Sequence, residues 1–134
     1  MKTYLAAPYS TKEYVTKCAQ ELRDLGIIVT SSWLNESHAP GMQMSELTPE
    51  QHQKYAMRDE IDVREADVFV FFTDPTGIIV RGGRHVEFGM AVILGKPICV
   101  VGNQHENIFH FLPNVFHFEN WETAKTQLVG FAAD

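Results

Sequence analysis

Two hydrophobic patterns alternate along the chain: short apolar runs, and longer segments in which apolar residues recur every three or four positions. The short runs predict five β-strands, at residues 3–7, 27–30, 67–72, 98–101 and 115–118. The longer segments predict helices at residues 11–25, 49–66, 83–94 and 120–131, with a shorter one at 104–112. This alternation predicts one α/β domain over residues 1–134, built on a parallel sheet with helices on both faces.

The helical segments also indicate which side chains face the core. One side of the first helix carries residues expected to be buried, namely Tyr14, Val15, Cys18, Leu22 and Leu25. In the second helix, Met57 and Ile61 are four positions apart and are expected to face the core. Residues 86–94 are apolar nearly all round, which predicts that the third helix is buried.

Composition is that of an ordinary soluble globular protein, with 45% apolar residues, 21% charged residues and a formal net charge of −6. A disordered tail, a collagen-like chain and a disulfide mini-protein are therefore excluded, and the net acidity argues against a polymeric nucleic-acid partner. Cys18 and Cys99 are expected to be reduced core thiols. No signal peptide or membrane-spanning run is recognised, so we expect a cytoplasmic protein with no membrane partner.

Ligands of open parallel sheets bind beyond the carboxyl ends of the strands. The segments expected there are residues 8–10, 31–48, 73–83 and 102–107. Residues 31–48 show no periodicity and predict a long loop, which in a compact domain usually has a function. A chain of 134 residues has little surface for a private pocket, so we expect a partner subunit to help close the site.

Glu87 is the one ionisable residue in the apolar segment 86–94. An unpaired buried carboxylate is costly, so an acid at this position indicates a purpose. We expect it in the first turn of its helix, where free N–H groups and the helix dipole favour negative charge. An ionised carboxylate on the floor of the crevice can act as a nucleophile. The alternative is that Glu87 only caps its own helix or pairs with Arg84.

The Gly82-Gly83 pair directly before this helix suits an anion-binding turn. Arg81 and Arg84 flank the glycines and suit a phosphate or carboxylate, although both could equally be solvated surface charges. With Arg58, they are expected to form a basic cluster at the mouth of the crevice.

The second helix offers a second carboxylate. Tyr55, Asp59 and Asp62 share a face that could meet the rim of the crevice. Asp59 beside Glu87 would make an acid–nucleophile pair of the kind that cleaves glycosidic bonds. Asp62 and Glu60 are expected to be solvated.

Three aromatic residues, Tyr9, Trp33 and Tyr55, lie in or near the crevice segments, where a flat base could stack on them. Packing in the core or at the rim is the alternative for each. The six histidines show no metal-ligand spacing, and no Walker loop, nucleophile elbow or Cys-x-x-Cys motif is present. We therefore expect neither a metal nor a cofactor.

Three motifs stand at the expected crevice. They are Tyr4-Leu5-Ala6-Ala7-Pro8-Tyr9-Ser10, Arg58-Asp59 ahead of Ala66-Asp67-Val68-Phe69-Val70, and Gly82-Gly83-Arg84-His85-Val86-Glu87-Phe88-Gly89-Met90-Ala91. In combination they resemble the nucleoside 2-deoxyribosyltransferase family, which includes deoxynucleoside 5′-monophosphate N-glycosidases. The resemblance covers residues 1–120 or so.

The resemblance implies a flavodoxin-like, doubly wound (Rossmann-like) fold with a five-stranded parallel sheet. It implies that Glu87 is a nucleophile that forms a covalent (deoxy)ribosyl intermediate, and that Asp59 holds or protonates the leaving base. It also implies a homodimer or higher homo-oligomer in which each site includes a residue from the neighbouring subunit. Asn107 is the nearest match to that residue in this sequence. The crevice segments and the resemblance together give the expected substrate-binding residues, which are Tyr9, Ser10, Trp33, Arg81, Gly82, Gly83 and Asn107.

One departure from the family concerns the position six residues before the nucleophile. It is an acid at the 5′-hydroxyl in the transferases and a serine near phosphate in the monophosphate hydrolases, whereas here it is Arg81. Because an arginine suits a 5′-phosphate, the sequence favours a nucleotide substrate. The expected reaction is cleavage of the N-glycosidic bond of a (deoxy)nucleoside or its 5′-monophosphate, with transfer to another base or to water.

Two alternatives remain at this point. A lysine-decarboxylase-like nucleoside monophosphate phosphoribohydrolase shares a Gly-Gly…Glu pattern, but usually has Pro before the glycines and Thr shortly before the Glu. This chain has Arg81 and Val86 there, which counts against that alternative. A non-catalytic nucleotide-binding or sensor domain is also compatible with an apolar helix that carries one capping Glu.

Overall fold

A five-stranded sheet forms the centre of the computed structural model, which describes residues 1–36, 47–74, 82–104 and 107–133. The strands are β1 (Lys2–Ala6), β2 (Ile28–Val29), β3 (Val68–Phe72), β4 (Ile98–Val101) and β5 (Val115–Phe118). The helices are α1 (Lys12–Asp24), α2 (Pro49–Glu65), α3 (Gly83–Ile93) and α4 (Trp121–Ala133). Short 3-10 helices span Tyr9–Thr11, Ser32–Asn35 and Ile108–Phe111.

The strand order is β2-β1-β3-β4-β5, and every neighbouring pair is parallel. The predicted five-stranded parallel sheet and α/β fold are thus confirmed. β3 lies in the middle, and all five of its residues are buried, so helices cover it on both faces. The chain order reverses between β1 and β3, and ligands of such sheets bind where the carboxyl ends of these strands diverge.

The α2 helix turns a different face to the sheet than its apolar spacing predicts. Its buried residues are Asp62 and Val63, whereas Met57 and Ile61 are 56% and 50% exposed. The prediction that Met57 and Ile61 face the core is therefore wrong, as is the prediction that Asp62 is solvated. A carboxylate is tolerated in the buried position because Asp62 Oδ2 accepts a hydrogen bond of 3.0 Å from the Ser32 N–H.

Two other helices also leave apolar side chains in solvent. Tyr14 and Leu25, expected on the buried side of α1, are exposed, and Leu25 lies beyond the last helical residue. The α3 helix buries Phe88 and Ala91 but exposes Val86 and Ile93, so the prediction of an all-round buried helix is wrong. An apolar face of α3 thus remains uncovered in the single chain.

Side chains continue the sheet where β2 ends. β2 has only two residues, Ile28 and Val29, against the four predicted. Beyond it, Ser31 Oγ accepts a hydrogen bond of 2.6 Å from the Leu5 N–H, and Trp33 Nε1 donates one of 2.7 Å to the Leu5 carbonyl. These two bonds fix Leu5 in the second half of β1, directly after Tyr4.

Two further expectations concern the cysteines and the membrane. Cys18 and Cys99 are both buried and free, which confirms that they are not paired with each other. Among the described residues, no helix combines the length and apolar character needed to cross a membrane.

The carboxyl ends of β3 and β4 come together at Gly102. This residue has φ +118°, and a Cβ there would overlap the hydroxyl of Thr73 at the end of β3. Thr73 also donates a hydrogen bond of 3.2 Å to the Val101 carbonyl. Glycine is therefore required at position 102 both by the backbone conformation and by the lack of space.

We expect Gly102→Ala to lower the free energy of unfolding by about 1–3 kcal/mol, because it adds backbone strain and overlap with Thr73. Gly130→Ala is the matched control, since Gly130 lies in α4 with open space around a Cβ. That change should stabilise the helix by up to about 1 kcal/mol. Urea unfolding of both variants measures the two effects, and equal stabilities would contradict the account of Gly102.

Candidate active site

Glu87 is held by a phenol from the middle of β1. The Tyr4 hydroxyl donates a hydrogen bond to Glu87 Oε2. Tyr4 is completely buried, and its ring stacks on Phe69 of β3 with centroids 5.5 Å apart. Phe88, the next residue of α3, packs edge-on against Phe69 and Phe71. Core packing on both sides therefore fixes the carboxylate and its donor.

Burial raises the pKa of Glu87 to about 8; the Tyr4 hydrogen bond opposes this shift and the charge of Asp59 adds to it. Burial, together with the neighbouring Glu87, raises the pKa of Tyr4 well above its usual value, so the phenol keeps its proton and remains a donor. Carboxyl groups whose pKa is raised in this way are common among catalytic acids and nucleophiles.

Asp59 supplies the second carboxylate, from α2. Its side chain is 29% exposed, and burial raises its pKa while the Arg58 guanidinium opposes the shift. Asp59 in turn raises the pKa of Glu87. The charge of Asp59 therefore acts on Glu87, and the pairing of these two acids in catalysis stays a prediction.

Arg58 lies between Asp59 and a further acid, Glu36. Its Nη2 donates to Asp59 Oδ1 at 2.8 Å and also to Glu36 Oε1, and its Nε lies 3.1 Å from the same Asp59 oxygen. Its guanidinium carbon stands 4.9 Å from the centre of the Tyr55 ring. Among the described residues, the Arg58 cation is thus shared between two carboxylates, those of Asp59 and Glu36.

The arrangement has the parts of a glycosidic-bond cleaving site: a buried carboxylate that can attack, and a second acid on the neighbouring helix that can serve a leaving group. Among the described residues, no group of three or more His, Cys, Asp or Glu side chains could hold a metal ion.

Residues 3–129 match the family model for nucleoside 2-deoxyribosyltransferases. The chain belongs to this family. It is an enzyme of nucleoside metabolism, of the transferase or glycosidase kind. No curated protein sequence matches the chain at a significant level.

Solved structures share the fold of this deoxyribosyltransferase family member. A 2-deoxyribosyltransferase from Bacillus psychrosaccharolyticus is 27% identical, with a TM-score of 0.68 over 93% of this chain and 90% of that one. The CMP N-glycosidase BcmB from Clostridium botulinum is 23% identical, with a TM-score of 0.57 over 96% and 98%. A conserved protein from Enterococcus faecalis V583 is 18% identical, with a TM-score of 0.57 over 98% and 87%.

The predicted substrate-binding residues of β1 and the loop after β2 lie around the same strand end. Tyr9 and Ser10 are exposed in the 3-10 turn that follows β1. Trp33 is buried, with its ring 6.3 Å from that of Tyr9 and its indole N–H bound to Leu5. The rest of the long loop, residues 37–46, lies outside the described residues.

The glycine turn opens α3 as predicted. Gly82 has φ +74° and precedes Gly83, the first helical residue. Glu87, however, is the fifth residue of α3, so the prediction that it lies in the first turn is wrong. Arg84 stacks on the Phe71 ring at 4.8 Å, and Arg81 lies outside the described residues. The predicted cluster of Arg58, Arg81 and Arg84 stays a prediction.

Asn107 begins the 3-10 helix after β4, where its Oδ1 accepts a hydrogen bond of 2.9 Å from the Phe109 N–H. In the described part of the chain it has no hydrogen bond to Glu87, Asp59 or Tyr4. A role at a neighbouring subunit's site therefore stays a prediction for this family member.

Sequence reasoning missed Tyr4 and Glu36. Tyr4 stands inside an apolar strand, where a tyrosine usually belongs to the core. The sequence motif therefore points to Tyr9 as the aromatic residue of the site. The signal for Tyr4 was its need for a hydrogen-bond partner once buried, which an acid in a buried helix can provide. Glu36 lies 22 positions from Arg58, and nothing local indicates that pairing.

We expect Tyr4→Phe to raise the pKa of Glu87, because the hydrogen bond that favours its ionised form is lost. A ¹³C NMR titration of the Glu87 carboxyl measures this shift. Tyr14→Phe, on the outer side of α1, removes a hydroxyl from an exposed ring and should leave that titration unchanged. Identical titrations of Tyr4→Phe and the unmodified protein would show that the Tyr4 contact has no electrostatic effect on Glu87.

Proposed function

We propose that this protein cleaves the N-glycosidic bond of a (deoxy)nucleoside or nucleoside 5′-monophosphate through a covalent glycosyl intermediate on Glu87. The observation that carries the proposal is the buried Glu87 carboxylate, fixed by Tyr4 and accompanied by Asp59. Family membership supports the reaction class, and these two acids supply the parts that it needs.

In the first step, the ionised form of Glu87 attacks the anomeric carbon of the sugar. Tyr4 binds Oε2, and within the described residues no hydrogen bond occupies Oε1, which leaves that oxygen for the new bond. As the C–O bond forms, the bond to the base nitrogen breaks and its electron pair leaves with the base. Asp59, in its protonated form, transfers a proton to that base.

In the second step, water or another base attacks the same carbon and releases Glu87 as a carboxylate. The ionised Asp59 takes the proton of the incoming nucleophile. Two displacements at one carbon retain its configuration, as in other glycosidic reactions that use a carboxylate nucleophile. The acid pair thus returns to its starting state after each turnover.

A 5′-phosphate would lie near the glycine turn in this proposal. The α3 helix begins directly after Gly82, and the N-terminus of a helix favours an anion; Arg81 directly precedes Gly82 in the sequence. Tyr9 is exposed at the end of β1, where a base or sugar can contact its ring. A cytoplasmic location fits the two free, buried cysteines.

We expect Glu87→Gln to lose base release by at least about 1,000-fold, since the nucleophile is removed. The assay offers a panel of nucleosides and 5′-monophosphates and separates the free base by chromatography. Intact-protein mass spectrometry during turnover should detect a glycosyl adduct on the unmodified protein and none on the variant. If the unmodified protein binds members of the panel tightly but releases no base, a sensor function is indicated instead. If Glu87→Gln releases base at the normal rate, Glu87 is excluded as the nucleophile.

Glu87→Gln should at the same time stabilise the protein at high pH. The pKa of Glu87 is raised in the folded state from 4.5 to about 8, so its favourable contribution is present below pH 4.5 and lost as the pH rises through 8. Glutamine cannot ionise and avoids this loss. The melting temperature of the variant relative to the unmodified protein should therefore rise between pH 5 and pH 9, and a constant difference would contradict the raised pKa.

The substrate site is proposed to be completed by a second copy of the chain. The helices that carry Asp59 and Glu87, α2 and α3, pack against each other. Both also expose large apolar side chains, namely Met57 and Ile61 on α2 and Val86 and Ile93 on α3. An uncovered apolar surface of this kind usually marks a protein interface. A partner on it would contact the same two helices that carry Asp59 and Glu87.

We expect Ile93→Glu to break this assembly, because Ile93 is 87% exposed in the single chain and a charge would be buried in the interface. Light scattering coupled to size-exclusion chromatography gives the mass of each variant. Leu25→Glu, at the end of α1, introduces the same charge at another exposed apolar residue and should leave the mass unchanged. A monomeric unmodified protein would contradict the proposal.

A further inference from the structure

The hydrogen bonds between Arg58 and Asp59 are unusual for their positions. Consecutive side chains on an α-helix point about 100° apart and do not normally face each other. Yet Arg58 Nη2 and Nε both reach Asp59 Oδ1, at 2.8 and 3.1 Å. Helix geometry alone does not produce this arrangement, so other groups must hold the guanidinium in place.

Two groups hold Arg58 in this position. Glu36, at the end of the 3-10 helix after β2, accepts a hydrogen bond from Arg58 Nη2, and its side chain is only 12% exposed. The Tyr55 ring, one turn earlier on α2, lies 4.9 Å from the guanidinium carbon. The largely buried ion pair with Glu36 lies on one side of the guanidinium and the Tyr55 ring on another. Together they restrict Arg58 more than an exposed ion pair would.

The contact uses only one oxygen of Asp59. Both Arg58 nitrogens bind Oδ1, and in the described part of the chain no hydrogen bond occupies Oδ2. The same guanidinium is shared with Glu36, so its charge does not belong to Asp59 alone.

We propose that Glu36 and Arg58 are positioning residues: they fix the Asp59 carboxyl with Oδ2 directed to the leaving base, and Glu36 limits how much of the Arg58 charge acts on Asp59. The proposal rests on the function proposed above, in which Asp59 gives its proton to the base. It assigns to these two residues a role in setting the pH range of catalysis, with no contact to the reacting atoms.

The signs of the electrostatic effects follow from the charges around Asp59. Within the described part of the chain those charges are Arg58 and Asp62 on α2, Glu36 after β2, and Glu87 on α3, with the neutral Tyr4 hydroxyl on β1. Loss of the Arg58 charge raises the pKa of Asp59 and also that of Glu87. Loss of the Glu36 charge lowers the pKa of Asp59, both directly and because Arg58 then acts on it undivided.

The test compares Arg58→Met, Arg58→Lys and Glu36→Gln with the unmodified protein. The first measurement is the pH profile of kcat for base release from the substrate on which the unmodified protein is most active. Arg64→Met is the matched control: it removes an exposed arginine from the same helix, whose pair with Glu60 spans 3.5 Å. The second measurement is a ¹³C NMR titration of the Asp59 carboxyl, which requires no turnover.

Arg58→Met should lower kcat by about 100-fold, because the acid is misplaced, while KM changes little. Its pH profile and the Asp59 titration should both move to higher pH, by about one unit. Glu36→Gln should move both to lower pH. Arg58→Lys should keep the pH profile at its normal position, because the positive charge remains. Its kcat should still be reduced, because an ammonium group lacks the planar set of N–H donors with which the guanidinium binds Asp59 and Glu36. Arg64→Met should behave as the unmodified protein.

Opposite shifts from the two charge variants cannot result from a general loss of stability, which lowers activity without moving the profile. Equal profiles and titrations for Arg58→Met, Glu36→Gln and the unmodified protein would overturn the proposal. If the unmodified protein releases no base from any substrate, the function proposed above fails. In that case the Asp59 titration still decides whether Arg58 and Glu36 control this carboxyl in opposite directions.

Discussion

The buried hydrogen bond between Tyr4 and Glu87 is the constraint on which the site depends. A carboxylate beside an apolar core is costly unless a donor compensates it, and here the donor is itself part of that core. The ring of Tyr4 stacks on Phe69 while its hydroxyl reaches α3. The position of Glu87 is therefore set by the packing of β1 against β3, and not by a mobile surface contact.

Carboxylates outnumber cations among the described residues around Asp59. Around Asp59, Arg58 is shared with Glu36, while Asp62 is buried with its oxygen bound to a backbone N–H. Each uncompensated carboxylate makes it harder to ionise the next one, so the burial of Glu87 and the charge of Asp59 act together on the same group. A reaction that develops positive charge on a sugar ring is favoured in such surroundings.

The sequence predicted the sheet and its helices because continuous apolar runs and helical repeats are strong signals, and it predicted Glu87 because an acid in an apolar helix is an exception. It also predicted Asp59 as a second acid, a role that stays a prediction, although the orientation it gave to α2 was wrong. The spacing of Met57 and Ile61 shows that they share a face, but it does not show which face meets the sheet. The contact between Glu36 and Arg58 depends on how two distant segments pack, which no local pattern records.

Tyr4 belongs to the core and to the candidate site at once, and this affects how the protein can change over evolutionary time. A substitution that alters the ring disturbs β1 and β3, while one that alters the hydroxyl disturbs Glu87. Few replacements satisfy both demands, so the centre of the site resists gradual variation. New substrate preferences are more accessible through the segments beyond the strand ends, which can change in length and composition without repacking the sheet.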